Sequence, residues 1–209
     1  YADDGQYVVT VTVRDDDGAI DQQTMVVQVD NVDPWIVSAQ GVPATIPEGA
    51  VPPITAVYEF EDDGFGPTET FTYTLNWGDT NVETGVPIIT TAGSIGAATR
   101  GKFWSSHTYG TNNPAGGPYV VTAEIADDDG GTFQFSTPVL VTNVPPELTT
   151  PTRLFGTAGV PLVISGLGSF TDPGWLDQWT YSIYWDDATA DLTQIPTMHQ
   201  AGGPGVPAQ

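Results

Sequence analysis

Hydrophobic and polar positions alternate with a period of two over much of the chain. Tyr7, Val9, Val11 and Val13 fall on one face of an extended segment, with Thr10, Thr12 and Arg14 on the other. Beyond Asp15-Asp16-Asp17-Gly18 the alternation resumes at Met25, Val27 and Val29. Two alternating runs around an Asp-Gly cluster predict a β-hairpin. The pattern returns with Tyr119, Val121, Ala123 and Ile125 inward and Thr122 and Glu124 outward, then Asp127-Asp128-Asp129-Gly130, then Thr137, Val139 and Val141. A further run, Phe71, Tyr73, Leu75 and Trp77, predicts a strand rich in aromatic side chains, each worth roughly 1.5–3 kcal/mol when buried.

The two hairpins are copies of one another. Residues 7–34 and 119–146 align without a gap at an offset of 112 and are identical at 14 of 28 positions. A second repeat pairs Phe71-Thr-Tyr-Thr-Leu-Asn-Trp-Gly-Asp79 with Trp179-Thr-Tyr-Ser-Ile-Tyr-Trp-Asp-Asp187 at an offset of 108. Just upstream, Phe60-Glu-Asp-Asp-Gly64 pairs with Phe170-Thr-Asp-Pro-Gly174 at an offset of 110. A period near 110 residues is too long for a solenoid unit and suits one autonomous β-domain. The expected map is the last hairpin of one domain in residues 1–33, a complete domain in 34–146, and the N-terminal part of a third in 147–209. Asn31-Val-Asp-Pro34 and Asn143-Val-Pro-Pro146 are the junctions, where proline ends strand pairing and stiffens the link. The end fragments are complementary: if Gln209 ran into Tyr1 of another copy, 25 residues would separate Trp185 from that tyrosine, against 32 from Trp77 to Tyr109.

Composition agrees with this plan. The chain has 209 residues, 39 % of them hydrophobic, with 24 Gly and 18 Pro, a mixture suited to short strands and turns in about two domains. Charge narrows the function classes. Twenty-six acidic residues stand against 4 basic ones, a net charge of −22. Phosphate backbones and anionic membrane surfaces need clusters of Lys and Arg that are missing, so nucleic acid and membrane surfaces are excluded as partners. The surplus strains the folded state by self-repulsion and makes the chain a sink for cations. Cysteine is absent, which removes disulfides and thiol chemistry. No stretch approaches the length of a membrane span or reads as a signal peptide, so any targeting signal of a secreted parent is expected outside this chain.

The motifs together resemble a known family. Glu48-Gly49, the Phe-x-Asp-x-Gly turn, Trp77-Gly-Asp79, His107-Thr-Tyr109, Gly117-Pro-Tyr119, the Asp-Asp-Asp-Gly turn and the terminal Asn-Val-x-Pro look like a bacterial PKD (polycystic kidney disease) repeat, and they follow the family's order across the middle copy. Tyr1-Ala-Asp-Asp-Gly-Gln-Tyr7 looks like the start of the last hairpin of another copy. The resemblance implies an all-β chain of tandem immunoglobulin-like (PKD-type) β-sandwiches, found outside cells in surface proteins, adhesins or accessory regions of secreted hydrolases. The third copy departs from the pattern: it has Trp185-Asp-Asp187 in place of Trp-Gly-Asp, and its His199 lacks the His-x-Tyr context.

The candidate chemistry is carboxylate chemistry. Calcium takes six to eight hard oxygens, and acid-crowded turns supply them. The candidate ligands are Asp15, Asp16 and Asp17, Asp127, Asp128 and Asp129, then Asp62, Asp63 and Asp79, then Asp172 and Asp187, with Asp177 and Asp186 close by. Asp30, Asn31 and Asp33 add oxygens at the first junction. The competing reading is that Asp and Gly only build turns through side-chain hydrogen bonds and positive φ. Trp77 reads as core, Asp79 as a turn cap and His107 as a structural hydrogen-bonding residue. Ala92-Gly-Ser-Ile-Gly96 misses the nucleophile-elbow pattern at its first position and precedes no helix. Carboxylates in turns, with no apolar pocket to raise one pKa, do not suit glycoside hydrolysis. The expectation is a non-catalytic structural or adhesive module that binds calcium and neighbouring copies of the same repeat. The alternative is an accessory domain holding a hydrolase to polysaccharide or protein, for which Trp104 and Tyr184 are the outward aromatics.

Overall fold

The computed structural model describes residues 1–185 and the backbone of 192–194. Among these residues the chain is all-β, with fifteen strands and no helix. The first five are β1 (Gly5–Arg14), β2 (Ile20–Val29), β3 (Trp35–Gln40), β4 (Thr45–Pro47) and β5 (Ile54–Asp62). Then come β6 (Phe71–Asn76), β7 (Val82–Gly85), β8 (Ile88–Thr91), β9 (Thr99–His107), β10 (Tyr119–Asp127) and β11 (Thr132–Thr142). The last four are short: β12 (Glu147–Thr149), β13 (Ser169–Thr171), β14 (Tyr181–Ile183) and β15 (Leu192–Gln194).

Residues 35–142 supply the two large sheets. One has four strands in the order β3-β5-β9-β8, the other five in the order β4-β11-β10-β6-β7. By contacts the chain falls into two compact units, the first of Tyr1–Gly41, Thr55–Ser105 and Val120–Thr137, the second of Val42–Ile54, Ser106–Tyr119 and Pro138–Gln209.

In the first unit the sheets meet through rings. Tyr58 and Phe60 of β5 lie against Phe135 of β11 and Phe71 of β6, with centroids 6.5 and 5.0 Å apart, and Tyr73 of β6 stacks on Phe103 of β9 at 4.5 Å. Alternation dictates this arrangement: Ala56, Tyr58 and Phe60 are buried in β5, as are Val121, Ala123 and Ile125 in β10. Trp77 is fully buried, and its indole N–H donates to Glu83 Oε1 at 3.2 Å. This face-to-face packing of twisted sheets is of the β-sandwich kind.

The hairpin of β1 and β2 forms as expected, antiparallel with Val9 opposite Met25 and Val13 opposite Asp21, but it is a two-stranded sheet of its own. Its expected inward face is only partly covered. Tyr7, Val9, Val27 and Val29 are half-buried, while Val11, Val13 and Met25 are exposed. No second sheet stands over this end of the hairpin among the described residues, so the alternation has nothing to bury against.

In the second unit β4 runs parallel to the end of β11, Thr45 opposite Leu140 and Pro47 opposite Thr142. Tyr109 stacks on Tyr119 at 4.7 Å, and His107 meets Tyr109 edge-on. The remainder pairs in short lengths, β12 with β13 and β14 with β15. Leu148, Phe155 and Val163 are exposed, and Phe170 lies against Trp179 at 5.5 Å. The strand expected to run from Trp179 to Asp187 is regular only over Tyr181–Ile183 within the described residues.

Val13 and Ile125 are equivalent in the repeat, yet Val13 is 67 % exposed and Ile125 fully buried. Truncation of Ile125 to Ala is expected to cost about 2–5 kcal/mol of unfolding free energy, and Val13→Ala to stay within about 0.5 kcal/mol, as measured by denaturant titration.

Candidate metal centre

The alternation that buries the core also carries carboxylates into its end. Asp62 is the next in-phase position after Tyr58 and Phe60 on β5, and it is 0 % exposed. Asp127 continues Val121, Ala123 and Ile125 on β10 and is buried as well. Glu69 stands two residues before Phe71, in phase with Phe71 and Leu75 on β6, and is half-buried. One carboxylate oxygen from each of Asp62, Glu69 and Asp127 lies within 4.8 Å of the others. Two oxygens on opposite sides of a calcium ion are about 5 Å apart, so oxygens this close can share one ion.

Backbone and amide donors hold this triad only in part. The Gly131 and Asp129 N–H groups donate to Asp127 Oδ1 at 2.6 and 3.1 Å, and the Asn31 amide donates to Asp127 Oδ2 at 2.8 Å. Asp62 Oδ1 accepts from the Gly64 N–H at 2.5 Å, whereas Asp62 Oδ2 and Glu69 Oε1 are buried without a hydrogen-bond partner. A Cβ at Gly64 would displace the Glu69 and Asp62 carboxylates, and one at Gly131 the side-chain ends of Asp127, Asn31 and Asp33. Glu69 also belongs to an outer triad with Asp3 and Asp129. Asp3 is tied there by the Thr68 hydroxyl, which donates to its Oδ2 at 2.6 Å.

Three of the chain's four basic residues are engaged elsewhere. Arg100 pairs with Glu61 at 2.9 Å, Lys102 sits over Trp104, and Arg153 over Phe155. Burial, reinforced by Asp127 and opposed by the Gly64 N–H, pushes the Asp62 carboxyl up to about 6. Burial next to Asp62 and Asp3 pushes Glu69 up to about 7.

A third group lies in the second unit: Glu48, Asp172 and Asp177. Here every acid accepts from at least one donor. Glu48 accepts from the Val144 and Asn112 N–H groups at 2.7 and 3.0 Å. Asp172 accepts from the Gly174 N–H at 2.8 Å and from the Trp179 indole at 2.9 Å, and Asp177 accepts from the Thr111 hydroxyl at 2.8 Å. Burial raises the Glu48 pKa, the two backbone donors lower it, and Asp177 and Asp172 add to the rise.

The sequence-predicted ligands therefore separate. Asp62, Asp127, Asp129 and Asp172 enter carboxylate groups. Asp15, Asp16 and Asp17 are exposed and build a turn, with the Ala19 N–H donating to Asp15 Oδ1 at 2.7 Å and the Gly18 N–H to its carbonyl at 3.2 Å. Asp128 accepts from the Thr70 N–H, and Asp79 from the Asn81 backbone and side chain; Asp63 is exposed, and neither Asp63, Asp79 nor Asp128 enters a group. Asp186, Asp187 and His199 lie outside the described residues. Glu69, Glu48 and Asp3 were not among the expected ligands, although the in-phase position of Glu69 two residues before Phe71 was a readable signal. Of the outward aromatics, Tyr184 is 77 % exposed, and Trp104 is 46 % exposed with the Lys102 ammonium 5.9 Å from its ring centre.

Compared with known proteins, the chain matches no family model and no curated sequence.

In metal-free solution the two raised pKa values fix a sign. Below about pH 4 these carboxyls are protonated in both folded and unfolded chains; between there and about 7 the folded chain keeps protons that the unfolded chain releases. Stability in chelator is therefore expected to fall as pH rises from 4.5 to 7.5, and Asp62→Asn to flatten that slope in thermal melts.

Proposed function

We propose that the chain is a non-catalytic structural or adhesive module of a repetitive extracellular surface protein, made of consecutive immunoglobulin-like, PKD-type sandwiches and stabilised by calcium. One observation carries the reading: the hairpin is repeated, with 14 of 28 positions identical, and in its second copy, β10 with β11, Val121, Ala123, Ile125, Val139 and Val141 are buried. A chain that repeats one β-domain with its own joints acts by linking copies. In this reading residues 34–146 form one domain, and 1–33 and 147–209 belong to its neighbours. The partially covered face of β1 and β2 and the exposed apolar residues of 147–185 are the surfaces on which copies of the repeat complete one another.

The strand arrangement suits mechanical linkage. β4 and β11 lie near the two ends of the 34–146 domain and run parallel, with the Leu140 N–H donating to the Ala44 carbonyl at 2.9 Å and the Glu48 N–H to the Thr142 carbonyl at 3.0 Å. Tension between the domain ends loads these bonds in shear, so that they resist together and do not open one by one.

Concatenated copies of residues 34–146 stretched singly are expected to give one force peak per copy. Leu140→Pro, at a position 42 % exposed, removes one clamp N–H and is expected to lower the peak force. Extension without peaks would contradict a load-bearing domain.

A further inference from the structure

The repeat places the same pair of carboxylates in both halves of the chain. Asp62 corresponds to Asp172 at an offset of 110, and Glu69 to Asp177 at 108. In the Asp172 copy every acid has a recorded donor, and Asp172 Oδ2 takes its hydrogen bond from the Trp179 indole. The residue equivalent to Trp179 is Phe71, which has no N–H to give. Asp62 Oδ2 is consequently left without a partner in a residue that is 0 % exposed, and Glu69 Oε1 is buried beside it in the same condition. A buried carboxylate oxygen with no donor is costly, and three acids together multiply the cost unless a cation takes the donor's place.

We propose that Asp62, Glu69 and Asp127 form a divalent-cation site of the calcium class, whereas the group that Glu48 makes with the repeat-related Asp172 and Asp177 is a hydrogen-bonded clasp that needs no ion. The oxygens of the triad are hard and anionic, and calcium accepts an irregular shell of such oxygens, whereas magnesium demands a near-ideal octahedron and gives up its waters reluctantly. Asn31, whose amide holds Asp127, lies in the Asn31–Pro34 segment that follows β2. Filling the site thus fixes the β10–β11 turn and, through Asn31, the segment that joins one copy to the next. The assignment rests on the calcium-stabilised reading above and names where the ion sits.

Thermal melts of the whole chain at constant ionic strength, in chelator and in 10 mM calcium or magnesium, test it, with calorimetric titration of calcium alone. The wild-type chain is expected to melt roughly 3–10 °C higher in calcium, with a smaller rise in magnesium. Asp62→Asn and Glu69→Gln are each expected to melt higher than wild type in chelator and to lose the calcium response, while Asp16→Asn in the exposed turn keeps it. Glu69 is only half-buried, so Glu69→Gln decides the matter should Asp62→Asn fail to fold. A calcium response retained in Glu69→Gln overturns this site but leaves calcium stabilisation standing. A wild-type melt that calcium moves no more than magnesium does overturns both.

Discussion

Strands β5, β6 and β10 carry apolar side chains inward at every second position, and each is bordered, in the same phase, by a carboxylate. That register is the constraint on which the rest depends. It cannot be shifted at one end without exposing Phe60, Leu75 or Ile125 at the other, because a slip of one residue turns a whole strand over. The rings between the sheets therefore hold Asp62, Glu69 and Asp127 together against their mutual repulsion. Hydrophobic burial offsets an electrostatic penalty localised at one end of the core, where donors neutralise it only in part.

Much of the fold was legible in the sequence because alternation is a local property. The β1–β2 hairpin, the inward set Tyr119, Val121, Ala123 and Ile125, and the buried Trp77 follow from period two alone. What alternation cannot supply is the surface that covers a face. Val11 and Val13 carry the same pattern as Ala123 and Ile125 and are nonetheless exposed, since burial needs an opposing sheet and not only a phase. Asp15 shows the same limit for the site: it occupies the position of Asp127, but with nothing over it the residue makes an exposed turn. Glu69 was overlooked because it stands outside any run of acids, although its phase with Phe71 and Leu75 marked it. Glu48 and Asp3 gave no such signal. They reach their groups through loops whose course no local pattern specifies.

The two versions of the carboxylate pair show how one substitution changes the chemistry of a repeated site. With an indole at position 179, Asp172 is satisfied by protein donors and the group closes on itself. With a phenyl ring at position 71, the equivalent oxygen has no donor and the surroundings are acidic. The proposed array of PKD-type sandwiches would then have unlike joints, one held by hydrogen bonds and one by an ion. The net charge of −22 fits such a design, in which cations from solution supply what 4 basic residues cannot.

The central claim is that two copies of one repeated hairpin differ in state because only one is closed into a two-sheet core. Hydrogen–deuterium exchange resolved to single amides in the intact chain measures this most directly. The amides of β10 should open only with global unfolding, and those of the equivalent β1 should exchange faster by orders of magnitude through local opening. Equal protection of the two strands would contradict the account.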